Sequence, residues 1–342
     1  YENSVKIKYR IDGMLIEKSS SPKRLQAAIL SRIKIMANMN IAERFIPQDG
    51  HIEFPAARGM IDIRVSTVPS IFGESVVMRL LDRSTALIPL EGLGMNQATL
   101  KGFSHCLGMA HGIVLVTGPT GSGKTTTLYA ALNKIYDPSL KIITIEDPVE
   151  YQLSGINQVQ IDPDIDLSFA NTLRAAMRQD IDVLLVGEIR DAETARIAIR
   201  AAMTGHLVFS TLHTNDAPEA ISTLRNMDVP SYLLASSLTA VVAQRLVRKI
   251  CPKCRTAFTP EKAMLKSLNL PESTKKLYRG QGCNFCYHTG TKGRTGIFEL
   301  LEVTPQIRQM IAANEPTDKI ARAAKLKTMA ERCRNKVKEG II

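Results

Sequence analysis

The chain has 342 residues, 44% hydrophobic and 23% charged, with a formal net charge of +11 and no tryptophan. That length calls for two or three domains at about 100–200 residues each. The composition is that of an ordinary globular protein, and six cysteines are too few for a disulfide scaffold. No apolar run reaches the roughly 18 residues of a membrane helix; the nearest, Val229 to Gln244, is broken by serines and a threonine. There is no secretory signal, and a chain opening at Tyr1 is expected to be a piece of a longer protein.

The charge is uneven. Residues 1–83 carry 13 Lys/Arg and 9 Asp/Glu, residues 84–244 carry 10 and 16, and residues 245–342 carry 21 and 8. The last part is strongly basic. That suits either an anionic partner (a membrane surface, nucleic acid or an acidic protein) or a solvated helical surface.

Val5, Ile7, Tyr9 and Ile11 alternate with polar residues as a half-buried strand does, Asp12-Gly13 supplies a hairpin turn, and Met14-Leu15-Ile16 starts the return. Ser21-Pro22 opens a helix with an apolar stripe through Leu25, Ala28, Ile29, Ile33 and Met36. Strand character resumes at Ile52, Phe54, Ile61, Ile63 and Val65, and again from Val76 to Leu81. Residues 1–83 are therefore expected to form a small α+β domain, with 84–94 as a linker.

From 95 to 250 the pattern alternates strand and helix, as a parallel α/β sheet requires. The expected strands are Ile113–Val116, Ile142–Ile145, Val183–Val186 and Val208–Thr211, with a helix from Ala192 to Met203. Between the first strand and a helix from Thr125 to Ile135 lies Gly118-Pro119-Thr120-Gly121-Ser122-Gly123-Lys124-Thr125, followed by Thr126. This fits the phosphate-loop pattern GxxxxGK[ST] at every fixed position. Its glycines let backbone N–H groups curl around a phosphate, and the helix N-terminus adds partial positive charge. Lys124 can reach the β- and γ-phosphates, and Thr125 can offer its hydroxyl to Mg²⁺.

Three further clusters follow the core strands. Glu188 ends the apolar run Asp182-Val183-Leu184-Leu185-Val186-Gly187 and suits a Mg²⁺-associated carboxylate better than Asp182, because ligands bind at the C-terminal edge of such sheets. Glu146, Asp147 and Glu150 put three acids in five residues, either a solvated turn or groups that orient the attacking water. His213 follows another strand and either senses the γ-phosphate or hydrogen-bonds structurally.

Residues 251–296 hold Cys251, Cys254, Cys283 and Cys286 as two CxxC knuckles separated by 28 residues. Four thiolates make a closed structural Zn²⁺ site, although the spacer is longer than usual. Cys106 and Cys333 are unpaired, and residues 297–342 are expected to be a basic helical region.

Gly118–Thr125, Ile145–Tyr151, Val186–Asp191 and Ser210–Ala217 stand in the order found in the secretion ATPases, and together the sequence resembles that family. These are the hexameric motors of type II secretion and type IV pilus assembly (the GspE/PilB family). Arg10–Gly13, Pro47–Gly50 and Arg64–Thr67 look like that family's domain ahead of the motor, and the tetracysteine insert followed by Gly293–Glu299 looks like its assembly and secretion branch. The resemblance implies a RecA-like core behind a PAS-like α+β domain, with a zinc insert and C-terminal helices. It implies a Mg²⁺-dependent ATPase in which Glu150 polarises water, Glu188 serves Mg²⁺, and His213 links nucleotide state to the sheet. Arg64 and Arg79 would reach the γ-phosphate, where an arginine stabilises developing charge. The implied setting is a homohexamer at the cytoplasmic face of the inner membrane, acting on a membrane platform protein. The given residues do not include that family's N-terminal docking domain, the C-terminus is expected to stop early relative to the family, and Ile181 stands where proline is usual. The rival readings are a DNA-translocating RecA-like motor and a nucleotide-gated scaffold without turnover. The low aromatic content speaks against the first, and intact Glu150 and Glu188 against the second.

Overall fold

The computed structural model describes residues 1–56, 59–82 and 88–342. The chain divides into two units, Tyr1–Ala86 with Glu150–Gln152, and Leu87–Val149 with Leu153–Ile342.

The first unit opens with β1 (Ser4–Ile11) and β2 (Met14–Pro22), paired antiparallel. Asp12 and Gly13 both take positive φ, 49° and 85°, as a two-residue hairpin turn requires. Helix α1 (Gln26–Met36) precedes an antiparallel sheet of β3 (Gln48–Ala56), β4 (Gly59–Val68) and β5 (Ser75–Asp82) in that order. A small core of Ala37, Met39, Ile52 and Val65 lies beneath, with Ile33 packed on it. The apolar stripe expected on α1 is otherwise not its buried face: Leu25 and Met36 are exposed, and the buried residue is Lys34. Lys34 pairs with Glu74 at 2.5 Å and donates to the Glu43 carbonyl. A charge this far from water is tolerated only with such partners.

The second unit is built on a seven-stranded sheet. In chain order it contains α2 (Gln97–Leu107), β6 (Gly112–Thr117), α3 (Lys124–Ile135), β7 (Ile142–Glu146), β8 (Asn157–Gln160), α4 (Phe169–Ala176), β9 (Val183–Val186), α5 (Ala192–Met203) and β10 (Leu207–Leu212). Then come α6 (Glu219–Asn226), α7 (Ser231–Ser237), β11 (Leu238–Ile250), β12 (Arg255–Phe258), α8 (Lys262–Ser267), β13 (Leu277–Gly280) and β14 (Thr291–Glu302). Helices α9 (Pro305–Ala312), α10 (Thr317–Ala323) and α11 (Met329–Lys338) close the chain.

The strand order is β14-β11-β6-β10-β9-β7-β8, parallel except for β14. Strands β6, β7, β9 and β10 are buried along their whole length, which is why they read as unbroken apolar runs. The helices cover them and share one core, including Leu115, Ile145, Leu184, Val208, Ile199 and Leu224.

Two strands depart from expectation. Leu238–Ile250 is the long strand β11, and residues 297–302, expected within a helical region, complete β14 beside it. The sheet thus continues beyond residue 250, and the tetracysteine segment is an excursion between two paired strands. Residues 84–87 of the expected linker lie outside the described residues, and beyond them Leu90–Leu93 forms a short 3-10 turn with both leucines buried. Among the described residues no helix is long and apolar enough to cross a membrane.

Candidate functional site

The phosphate loop rises from the buried end of β6 and runs into α3. Gly118, Gly121 and Gly123 take positive φ. At Gly118 close approach also excludes a side chain, since a Cβ would lie 2.6 Å from the Gln244 carbonyl oxygen and 2.7 Å from Ser122 Oγ. Pro119, Thr120 and Gly121 are exposed, Ser122 is buried, and Thr125 and Thr126 are half-buried in the first turn of α3. Lys124 Nζ donates to the carbonyls of Gly118 (2.8 Å) and Pro119 (3.3 Å), so the lysine is folded over its own loop. Burial depresses its proton affinity, Glu188 opposes that shift and Arg245 adds to it. The loop is therefore a concave row of backbone groups with a positive charge across it, as polyphosphate binding demands.

Strand β10 lies beside β6, and β9 lies beyond β10, all parallel, so their carboxyl ends form one edge. Glu188 sits past β9 and His213 past β10. His213 Nε2 is 3.1 Å from one Glu188 oxygen, and Arg190 pairs with the other. Burial pushes the Glu188 carboxyl up, but the hydrogen bonds from Arg190 and His213 outweigh it, leaving it below the usual carboxylate range. An ionised carboxylate near the loop suits a Mg²⁺ ion and its waters, so Thr125 and Glu188 are the residues that fit that role. Asp182 lies at the opposite edge and accepts the Lys141 N–H at 2.7 Å.

The three acids at and just past the end of β7 occupy three environments. Glu146 is buried, taking hydrogen bonds from Tyr129 (2.5 Å), Thr144 (2.6 Å) and Gln158 (3.2 Å). Asp147 is exposed, 3.9 Å from Arg190. Glu150 is half-buried and falls in the first unit with Arg64 and Arg79. Those two arginines stand directly opposite each other on β4 and β5, and His51 on β3 stands opposite Arg64, so one sheet face carries a basic row.

The four knuckle sulfurs converge. Cys251–Cys283, Cys254–Cys286 and Cys283–Cys286 are separated by 3.9, 3.8 and 3.7 Å, and all four sulfurs lie within 4.8 Å of one another. Thiolates about 2.3 Å from a tetrahedral zinc stand roughly 3.8 Å apart. Backbone N–H groups of Gly282 and Cys283 donate to the sulfurs of Cys254 and Cys286, as thiolates favour. The donor set fits Zn²⁺. The long spacer is explained by its content, since it holds β12, α8 and β13 before returning to β14. Cys106 stands apart, buried on α2, and burial pushes its thiol up to about 12.

Sequence reasoning missed four residues at the nucleotide edge. Gln244 on β11 donates its buried amide to the Ser122 carbonyl at 2.8 Å and so braces the phosphate loop. Arg245 donates to the carbonyl and side-chain oxygens of Asn215, just past His213. Arg190 pairs with Glu188, and Tyr129 anchors Glu146. A Gln-Arg pair interrupting the apolar run of β11 was the available signal for the first two.

The family described as "Type II/IV secretion system protein" matches residues 1–342. A "Putative type II secretion system protein E" of Escherichia coli K12 is 50% identical over 92% of this chain and 64% of its own length. A "Type II secretion system ATPase E" of Vibrio cholerae is 45% identical over 100% of this chain and 68% of its own. The chain thus spans about two thirds of the length of these curated relatives. Among solved structures, the pilus retraction motor PilT with bound ADP is 27% identical, with a TM-score of 0.67 over 100% of this chain and 90% of that one. On the full-length match and these identities, the chain belongs to the type II/IV secretion system protein family.

Proposed function

We propose that the chain is the motor portion of a Mg²⁺-dependent ATPase that drives protein secretion or pilus assembly. The observation that carries this is the edge of the second unit, where the Lys124 loop on β6 stands beside Glu188 and His213 at the ends of β9 and β10. The full-length family match and the ATPase named among its relatives support it.

In this reading the loop amides and Lys124 hold the β- and γ-phosphates of ATP, and Thr126 lies next to them in the helix. Mg²⁺ held by Thr125 and Glu188 would neutralise charge on the transferred phosphoryl group. Glu150 orients and polarises the attacking water. Arg64 and Arg79 stabilise the charge that develops on the γ-phosphate. His213 links the nucleotide edge to β10. Zn²⁺ on the four cysteines is structural, because four thiolates leave no open coordination position. The working form is a homohexamer, bound peripherally at the cytoplasmic face of the inner membrane, which turns a membrane platform protein and extracts pilin-like subunits. Nucleic acid is not its partner.

The test is steady-state Mg-ATP hydrolysis over a range of protein concentrations, with Lys124→Ala as the blank. Turnover per subunit that rises with concentration and vanishes in the blank supports an assembled ring. A rate independent of concentration, with a monomeric particle mass, removes the ring. No turnover at any concentration removes hydrolysis by this portion.

A further inference from the structure

Glu146, the last residue of β7, is the buried acid of the cluster at that strand's end, and both its carboxylate oxygens accept hydrogen bonds. It is 3% exposed. One oxygen accepts the Tyr129 hydroxyl at 2.5 Å, and the other accepts the Thr144 hydroxyl at 2.6 Å and the Gln158 amide at 3.2 Å. The same Gln158 amide donates to the Tyr129 oxygen at 3.4 Å, which closes the ring of hydrogen bonds. Burial of such a group is offset only by hydrogen bonding to partners that replace water.

The partners come from opposite ends of the nucleotide machinery. Tyr129 lies on α3, in the turn after Lys124, and is fully buried. Gln158 lies on the edge strand β8, and its carbonyl accepts the Leu153 N–H at 2.6 Å. Gln160 on the same strand accepts the Val149 N–H at 3.3 Å. Leu153 and Val149 bracket Glu150. The backbone on each side of Glu150 is therefore pinned by a β8 glutamine, and one of these glutamines shares a buried carboxylate with the phosphate-loop helix.

We propose that Tyr129 and Gln158 are positioning residues that act through Glu146, holding the segment that carries Glu150 in register with the phosphate-loop helix. This rests on the reading that Glu150 serves ATP hydrolysis. A displacement of α3 is passed to Leu153 through three hydrogen bonds, Tyr129 to Glu146, Gln158 to Glu146 and the Leu153 N–H to Gln158. Small misplacements of a catalytic group cost large factors in rate.

The experiment uses Tyr129→Phe and Gln158→Met, which remove the polar atoms and keep the bulk. Steady-state kinetics, affinity for a fluorescent ATP analogue, and amide hydrogen exchange of residues 147–153 are measured on each variant and on the double variant. The expected result is a turnover number lowered about tenfold, KM and analogue affinity within about twofold, and faster exchange confined to 147–153. The double variant should be no worse than the poorer single, because both cut one junction. Unchanged turnover and exchange overturn the proposal, and so does a loss of affinity in step with turnover, which is general softening of the loop. If the unsubstituted protein does not hydrolyse ATP, the functional reading has failed instead. Exchange at 147–153 then decides the junction by itself: faster in the variants upholds it, unchanged overturns it.

Discussion

Nε2 of His213 lies 3.1 Å from Oε2 of Glu188, across the carboxyl ends of two adjacent parallel strands. The other oxygen of Glu188 pairs with Arg190. The carboxylate is thus held from β10 on one side and from its own strand's continuation on the other. Truncating His213 removes the link to β10, while the Arg190 pair keeps the carboxylate ionised. His213→Ala should lower turnover about tenfold with KM for ATP within about twofold. A raised KM with turnover preserved would place His213 in nucleotide binding and remove the linking role.

Gln244 gives a prediction of the opposite kind. Its amide is the partner of the buried Ser122 carbonyl, between the two glycines that shape the loop. Gln244→Met leaves that carbonyl unpaired, at a cost of about 1–3 kcal/mol. The change also removes Gln244 Oε1, which is buried without a partner among the described residues, so the loss should fall near the lower end. Because the slack appears in the loop itself, nucleotide affinity should drop about tenfold. Equilibrium binding of an ATP analogue beside a denaturant titration checks both, and unchanged affinity would show the brace to be idle.

The zinc knuckles should be separable from the nucleotide edge. Cys251 follows β11 seven residues past the loop-bracing Gln244, roughly 23 Å along a strand. The protein should bind about one zinc per chain. Stripping it with a strong chelator, or substituting Cys283→Ser, should lower the melting temperature by several degrees. Affinity for an ATP analogue should stay within about twofold. Metal analysis showing no zinc in protein expressed in zinc-replete medium would overturn the assignment.

What the sequence made legible was local. The phosphate loop shows itself through glycines between an apolar strand and an amphipathic helix, all within one short segment. Glu188 and His213 were visible because each ends such a strand. The rest depended on contacts far apart in the chain. Strand β11 follows α7 with no glycine or proline between them, and its partner β14 comes only after the tetracysteine excursion, so neither was expected as part of the sheet. The α1 periodicity announced a helix but could not say that Lys34 would be buried, since Glu74 lies two strands later. The three acids at and just past the end of β7 look alike in sequence; it is Tyr129 and Gln158, distant in the chain, that hydrogen-bond the buried Glu146.

Glu299 links the histidine segment to the C-terminal helix and should give the fold a pH signature. It is buried on β14, with one oxygen accepting the Ala217 N–H at 2.9 Å and the other the Met329 N–H at 3.1 Å. Burial pushes its carboxyl above the ordinary range; the two N–H groups and Arg245 oppose this, and Asp216 reinforces it. The folded protein therefore holds this proton more tightly than the unfolded chain does. The resulting stabilisation is fully present below the unfolded carboxylate pKa of about 4.3 and is lost as pH rises through the higher folded value. Glu299→Gln has no such titration. The unfolding free energy of the unsubstituted protein, taken relative to Glu299→Gln, should therefore decline as pH rises above the unfolded carboxylate value of about 4.3. Denaturant titrations of both proteins over that rise in pH measure it. A difference that stays flat or grows with pH would mean that the two N–H donors, not burial, control this carboxylate.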